Sequence, residues 1–166
     1  MELQYSYEYD IPNIINNKSY IPNDNYTHKI EKINSQIYNY RQEYLKKDYG
    51  SILYNIKIKN LQLQKTKYQY LNSLQIFYQN NNVYFPNLIV VDMHQLHAEQ
   101  MIQILNVLYN YWYQKNINKI KIITGKGNQI LYKKLINYLN YWKIKYKDNQ
   151  NNVDIALFNY TDRHLK

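Results

Sequence analysis

The chain has 166 residues, 45% of them hydrophobic and 20% charged, enough for one core-bearing domain with an appendage and too few for two full domains. A balance of 21 Lys and Arg against 12 Asp and Glu leaves a net charge of +9, which points to a polyanionic partner. No apolar run nears the roughly 18 residues of a membrane span, and the lack of cysteine excludes disulfides, thiol nucleophiles and thiolate metal sites. Tyr is abundant at 22 while Gly and Pro number 3 each, the usage of an A+T-rich coding sequence, so the tyrosines are read as composition before base-stacking platforms. Against that background Gly125 and Gly127, which flank a single lysine, are the more telling.

Residues 1–22 hold Pro12 and Pro22 and no sustained period, and read as an extended arm. The first ten residues are acidic and carry no basic leader, so no signal or transit peptide is expected; the cytoplasm is the expected compartment, with the nucleus as the alternative. Residues 23–82 read as a helical hairpin. From Asp24 to Lys47 apolar side chains recur at Ile30, Ile33, Ile37, Tyr40 and Tyr44, with Asn23 or Asp24 as N-cap, and Gly50 suits the left-handed position that ends this helix. The second helix runs from Ser51 to Asn80 with Ile52, Ile56, Leu63, Leu71, Leu74 and Phe77 inward. Asn80, Asn81, Asn82 and Pro86 then punctuate the chain.

Residues 83–160 read as an α/β domain, with 161–166 as a tail. Asn87 to His94 is a β-branched run suited to a strand buried on both faces. Ala98 to Lys115 is a helix with Met101, Ile104, Leu105, Leu108 and Trp112 on one stripe, and Lys119 to Thr124 is a second strand. A helix over Gln129 to Tyr141 follows, with Asn128 as N-cap, Leu131, Leu135, Tyr138 and Leu139 inward and Trp142 closing the apolar stripe. Two short strands end the domain: Lys143, Lys145 and Lys147 alternate with Ile144 and Tyr146, and Val153 to Phe158 comes after an Asn-rich turn. The lysine row serves either as protection of a sheet edge or as a phosphate-contacting surface. Strand, helix, strand is a βαβ unit, so the first two strands are parallel.

In such a unit the carboxyl ends of both strands share one edge of the sheet, where open α/β sheets bind ligands. That edge holds Asp92-Met93-His94 and Thr124-Gly125-Lys126-Gly127. Asp92 and His94, two apart on a strand, leave from one face, and a carboxylate beside an imidazole fixes its tautomer for general acid-base work. Glycines at 125 and 127 let the backbone turn and approach a ligand, so amide N–H groups, the next helix start and the Lys126 ammonium together suit one phosphate. His97 lies near His94 without a third ligand of suitable spacing, so neither a metal nor any other cofactor is expected.

At these residues the sequence resembles a known family. Val91-Asp92-Met93-His94-Gln95-Leu96 before a helix, and Ile122-Ile123-Thr124-Gly125-Lys126-Gly127 before another, resemble the Smr (small MutS-related) domain, whose signatures are Leu-Asp-x-His-Gly-x and a Gly-x-Gly after the second strand. The likeness spans about residues 87–159. The hairpin, ending in Leu71-Asn72-Ser73-Leu74-Gln75-Ile76-Phe77 and an Asn-rich stretch, is similar to the two-helix extension of eukaryotic members. Gln95 stands where the family has glycine, and Asn128-Gln129 where eukaryotic members commonly have His-Ser. The resemblance implies a two-layer β-α-β-α-β-β sandwich like the C-terminal domain of a bacterial translation initiation factor, and nucleic-acid binding or endonuclease activity. Some members nick DNA, and others cleave messenger RNA on stalled or collided ribosomes.

Three readings follow. The first is a metal-independent RNA endonuclease with Asp92 orienting His94, and Lys126 with the amides of Gly125 and Gly127 holding the phosphate, the ribosome being a further partner. The second is a non-catalytic RNA- or ribosome-binding module using the same loop and Lys143, Lys145 and Lys147. The third, structure-selective DNA nicking, uses the residues of the first.

Overall fold

The computed structural model describes residues 24–46, 51–84, 87–127, 129–150 and 152–157. The expected arm, the tail, Gly50, Pro86, the Asn128 cap and Phe158 lie outside the described residues. Helices α1 (Tyr26–Lys46) and α2 (Ser51–Asn81) are followed by β1 (Val90–Asp92), α3 (Ala98–Gln114), β2 (Lys119–Ile123), α4 (Ile130–Tyr141), β3 (Lys145–Asp148) and β4 (Asn152–Ala156). The described residues form two compact units divided within α2, after Gln75, so the last residues of that helix belong with the sheet.

In the first unit the N-cap of α1 is Asn25, one residue later than the expected Asn23 or Asp24, and its side-chain oxygen accepts from the His28 N–H at 3.0 Å. The two helices run antiparallel with aromatic contacts along their seam: Tyr26 meets Tyr68, and Tyr44 stacks on Tyr54 with centroids 4.1 Å apart. Lys57 lies over the Tyr40 ring, 5.0 Å from its centroid. These contacts rotate the inward stripe of α2. Ile52 and Ile56, expected inside, are exposed at 73% and 50%, while Ile58 is buried. A stacked tyrosine pair shields more apolar area than an isoleucine at the same site, which decides which side of the helix turns inward.

The second unit is a two-layer α/β sandwich. Its four strands take the order β1-β2-β4-β3, with β1 and β2 parallel, Val91 opposite Ile122, and the other pairs antiparallel. One face of the sheet is buried through Val91, Ile120, Ile122, Val153 and Ile155, as are Met101, Ile104, Leu105, Leu108 and Trp112 of α3 and Leu135 and Leu139 of α4. Trp112 also donates its indole N–H to the Leu88 carbonyl at 3.0 Å, so its ring fills the core and its polar atom is satisfied. The helices are joined by Tyr138 to Asn106 (2.7 Å) and Lys134 to Glu99 (2.8 Å). Asp148 accepts from the Tyr132 hydroxyl, which holds its carboxyl below the ordinary range.

Three local expectations are corrected. Among the described residues the first strand is an edge strand buried on one face only, with Val90 half-buried and Ile89 exposed, because the described helices cover a single side of the sheet. Trp142, expected in the core, is 60% exposed, since it lies beyond the last turn of α4 and rests edge-on against Tyr141. Lys143 is not part of the third strand's alternation. It has φ +54°, its N–H bonds the Asn140 carbonyl, and the Ile144 N–H bonds Leu139: a Schellman closure of α4 with Lys143 in the left-handed position. Asn116, at φ +55°, ends α3 the same way, with Ile117 bonded to Trp112.

Candidate active site

β1 and β2 are parallel, so the loops leaving them meet at one edge of the sheet. There an open cleft of about 440 Å³ is lined by His94, Gln95 and His97 after β1, by Thr124 to Gly127 after β2, and by the first residues of α3 and α4. Two helix N-termini therefore converge on it, each carrying roughly half a positive charge from its aligned peptide dipoles. The Lys126 side chain is exposed at this cleft.

His94 lies just past β1, in a turn that Asp92 itself builds. One carboxylate oxygen, Oδ1, accepts from the His94 backbone N–H at 3.0 Å and contacts its Nδ1 at 2.7 Å. The pair is therefore held by a side-chain-closed turn, a tighter arrangement than the shared strand face expected from spacing. A carboxylate only accepts, so in the neutral imidazole Nδ1 carries the proton and Nε2 the lone pair. The carboxylate is sheltered at 19% exposure and the imidazole open at 41%, which leaves Nε2 accessible to a ligand.

What holds Asp92 comes from outside the loop. Asn81, the last residue of α2 and fully buried, donates to the Asp92 carbonyl at 2.8 Å and accepts from the Asp92 N–H at 2.7 Å. The same amide donates to Phe77 at 2.7 Å. Its side chain thus makes the two bonds that a neighbouring strand would make with β1. Asn80 adds a bond to the His94 carbonyl at 2.7 Å. Both asparagines read in the sequence as mere punctuation, since the chain is rich in Asn and nothing local marks these two.

Gly125 and Gly127 divide their work. Gly125 has φ +81°, and a Cβ there would stand 3.1 Å from the Cβ of His94, so the loop backbone passes directly against the histidine. Gly127 meets nothing within 4 Å and has no positive φ, so among the described residues only a ligand would require its bareness. Gly125→Ala is expected to cost about 1–2 kcal/mol from the left-handed backbone alone, and Gly127→Ala to stay within about 0.5 kcal/mol of the parent. Urea unfolding of both variants checks this, and equal effects would contradict the assignment.

Two further cleft residues were named in the sequence reading without a part in the proposed chemistry. Thr124 is buried, and its hydroxyl oxygen finds no partner among the described residues, a donor left waiting at the base of the cleft. The second is His97, weighed in the sequence only as a metal ligand. It lines the same cleft at the start of α3 and makes no side-chain cap bond there. Among the described residues no three His, Asp or Glu side chains gather to hold a metal ion. Gln95 adopts φ +65°, the left-handed conformation that explains a glycine at this place in the resembled signature, and its side chain is exposed at the cleft. Lys145 and Lys147 lie elsewhere, on β3, away from the cleft-lining residues.

Comparison with known proteins places residues 91–150 on the family model of the Smr domain. Among solved structures, the B3BP Smr domain in solution is similar, with 22% identity and a TM-score of 0.42 over 54% of this chain and 96% of that one. The solution structure of the SMR domain of NEDD4-binding protein 2 is similar at 21% identity and a TM-score of 0.37, over 44% of this chain and 88% of that one. No curated protein matches the sequence.

Proposed function

We propose, for a chain that carries an Smr domain at residues 91–150, that this domain binds nucleic acid and cleaves RNA by internal phosphodiester transfer. The observation that carries the reading is the Asp92–His94 pair, 2.7 Å apart, facing a cleft whose other wall is Thr124 to Gly127. The scissile phosphate sits against the amides of Gly125 and Gly127, the Lys126 ammonium and the N-termini of α3 and α4, all of which offer positive charge to the phosphorane. His94 Nε2 takes the proton of the adjacent 2′-hydroxyl, the 2′-oxygen bonds to phosphorus, and the bond to the 5′-oxygen breaks. His97 supplies the proton to that leaving oxygen. The products are a 2′,3′-cyclic phosphate and a 5′-hydroxyl. Base, acid and charge stabilisation are all side-chain or backbone groups of this chain, so the step needs no added metal. Messenger RNA on cytoplasmic ribosomes is the proposed natural substrate.

The test is a labelled RNA oligonucleotide incubated with the full chain, beside the same strand with a single 2′-deoxyribose at the cut position, with and without EDTA. Cleavage of the all-ribose strand alone, unchanged by EDTA and leaving a cyclic phosphate, is expected. Cutting of the deoxy strand, or loss of activity with EDTA, overturns the reading in favour of metal-dependent hydrolysis or DNA nicking. Gln95, a side chain at the cleft where the resembled signature has glycine, favours a second reading, a module that binds RNA without cutting it. Binding without cleavage in the parent and in Gln95→Gly would select it.

A further inference from the structure

Among the described residues no helix covers the face of the sheet opposite the core. Its inward neighbours Ile120, Ile122, Val153 and Ile155 are buried, and the residues alternating with them stand on the other side. Lys119 and Lys121 of β2 and Lys145 and Lys147 of β3 are all exposed. Register aligns them in two rows across β4: Lys119, Ala156, Lys145, and Lys121, Asp154, Lys147. With about 4.8 Å between strands and about 3.3 Å per residue, the four lysines root at the corners of a rectangle of about 10 by 7 Å. A shallow concavity of about 530 Å³ on this face is lined by the four lysines together with Val90 and Ala156.

The lysines of β3 are explained by edge protection, since among the described residues β3 ends the sheet. Those of β2 are not. That strand is central, bonded on both sides, and has no free edge to defend. Nor do they serve ion pairs: among the described residues none of the four ammonium groups makes a salt bridge. Asp154, the one carboxylate within the rectangle, is engaged by the Asn149 amide at 2.8 Å. Four like charges gathered on one face repel one another weakly through solvent and present a positive surface suited to a ligand of opposite charge.

We infer that this open face is a second nucleic-acid contact, where Lys119, Lys121, Lys145 and Lys147 hold successive phosphates of a single strand without reading its bases. This rests on the nucleic-acid reading above and extends it. β2 leads from this face into the cleft, its Lys121 only four residues before Gly125, about 13 Å of extended chain, so one strand reaches both. Contacts of this kind set affinity and position, and leave sequence choice to other groups.

The experiment measures binding of a fluorescent 20-nucleotide single-stranded RNA by anisotropy across a KCl series, with the full chain in a His94→Ala background so that the probe survives. The double variants Lys119→Gln/Lys121→Gln and Lys145→Gln/Lys147→Gln are compared with Lys65→Gln/Lys67→Gln on α2, which removes the same charge from the hairpin. Each phosphate contact contributes about 0.7 to the slope of log affinity against log salt for a single strand. Each sheet pair is therefore expected to lower the slope by about 1.4, and the hairpin pair to leave it unchanged. An unchanged slope in the sheet variants, or an equal drop in the hairpin variant, overturns the inference. Melting temperatures equal to the parent's show that the fold is retained. Cleavage by the parent with unaffected slopes defeats this surface alone, whereas the expected slopes without cleavage defeat the enzymatic reading alone.

Discussion

Replacing His94 with alanine is expected to lower RNA turnover by about 10²–10⁴-fold, the range for loss of a positioned general base. Protein and binding are expected to stay intact. The ring is 41% exposed and, among the described residues, makes its side-chain bond to Asp92 alone, so its removal opens no buried cavity. The phosphate-holding groups, Lys126 and the loop amides, belong to the other loop and survive. A single-turnover rate on a labelled oligonucleotide, measured with a binding isotherm, separates the two effects. Turnover that persists in the variant would remove the imidazole from the mechanism. Asp92→Asn keeps an acceptor at the same place but loses the charge that stabilises the imidazolium, so a smaller rate loss is expected, with the substrate still bound.

The second large effect is on stability. Asn81→Leu preserves approximate volume while deleting three hydrogen bonds, to Phe77 and to both backbone groups of Asp92. The N–H and C=O of Asp92 are left without their partner beside a fully buried side chain. Each such loss costs about 1–3 kcal/mol, and because the bonds share one amide the sum is expected at about 3–5 kcal/mol. Asn80→Ala, which removes one part-buried bond to the His94 carbonyl, is expected to cost about 1 kcal/mol. Urea denaturation followed by circular dichroism ranks the two. A loss below about 1 kcal/mol for Asn81→Leu would mean that the amide is dispensable to the fold.

Much of the sheet unit is legible in the sequence because its signals are local. The apolar periodicity of Met101 to Trp112 and the β-branched runs on either side specify a βαβ unit, and that topology alone brings Asp92 and His94 to the same edge as Gly125. What escaped depends on neighbours. Asn81 matters through the backbone it faces eleven residues later, and in so Asn-rich a chain its residue type carries no mark. Lys119 and Lys121 blend into an apolar strand until register sets them level with Lys145 and Lys147. The exposure of Trp142 reflects a helix end, where a periodic stripe continues in sequence after its partner surface has stopped, and that of Ile52 and Ile56 a seam set by the Tyr44–Tyr54 stack, which periodicity alone does not reveal. Lys143 looked like the start of a strand because alternation cannot sense a left-handed helix closure.

The Asn81 amide has a consequence beyond catalysis. Among the described residues β1 has no strand on its outer side, and a foreign chain adding there would need the very Asp92 groups that Asn81 already occupies. At the far rim, β3 greets any such intruder with two ammonium groups. One border is thus plugged by an internal mimic and the other fenced by repulsion, so self-templated growth into filaments is resisted from both directions, and Asn81→Leu is the change that would unlock the first.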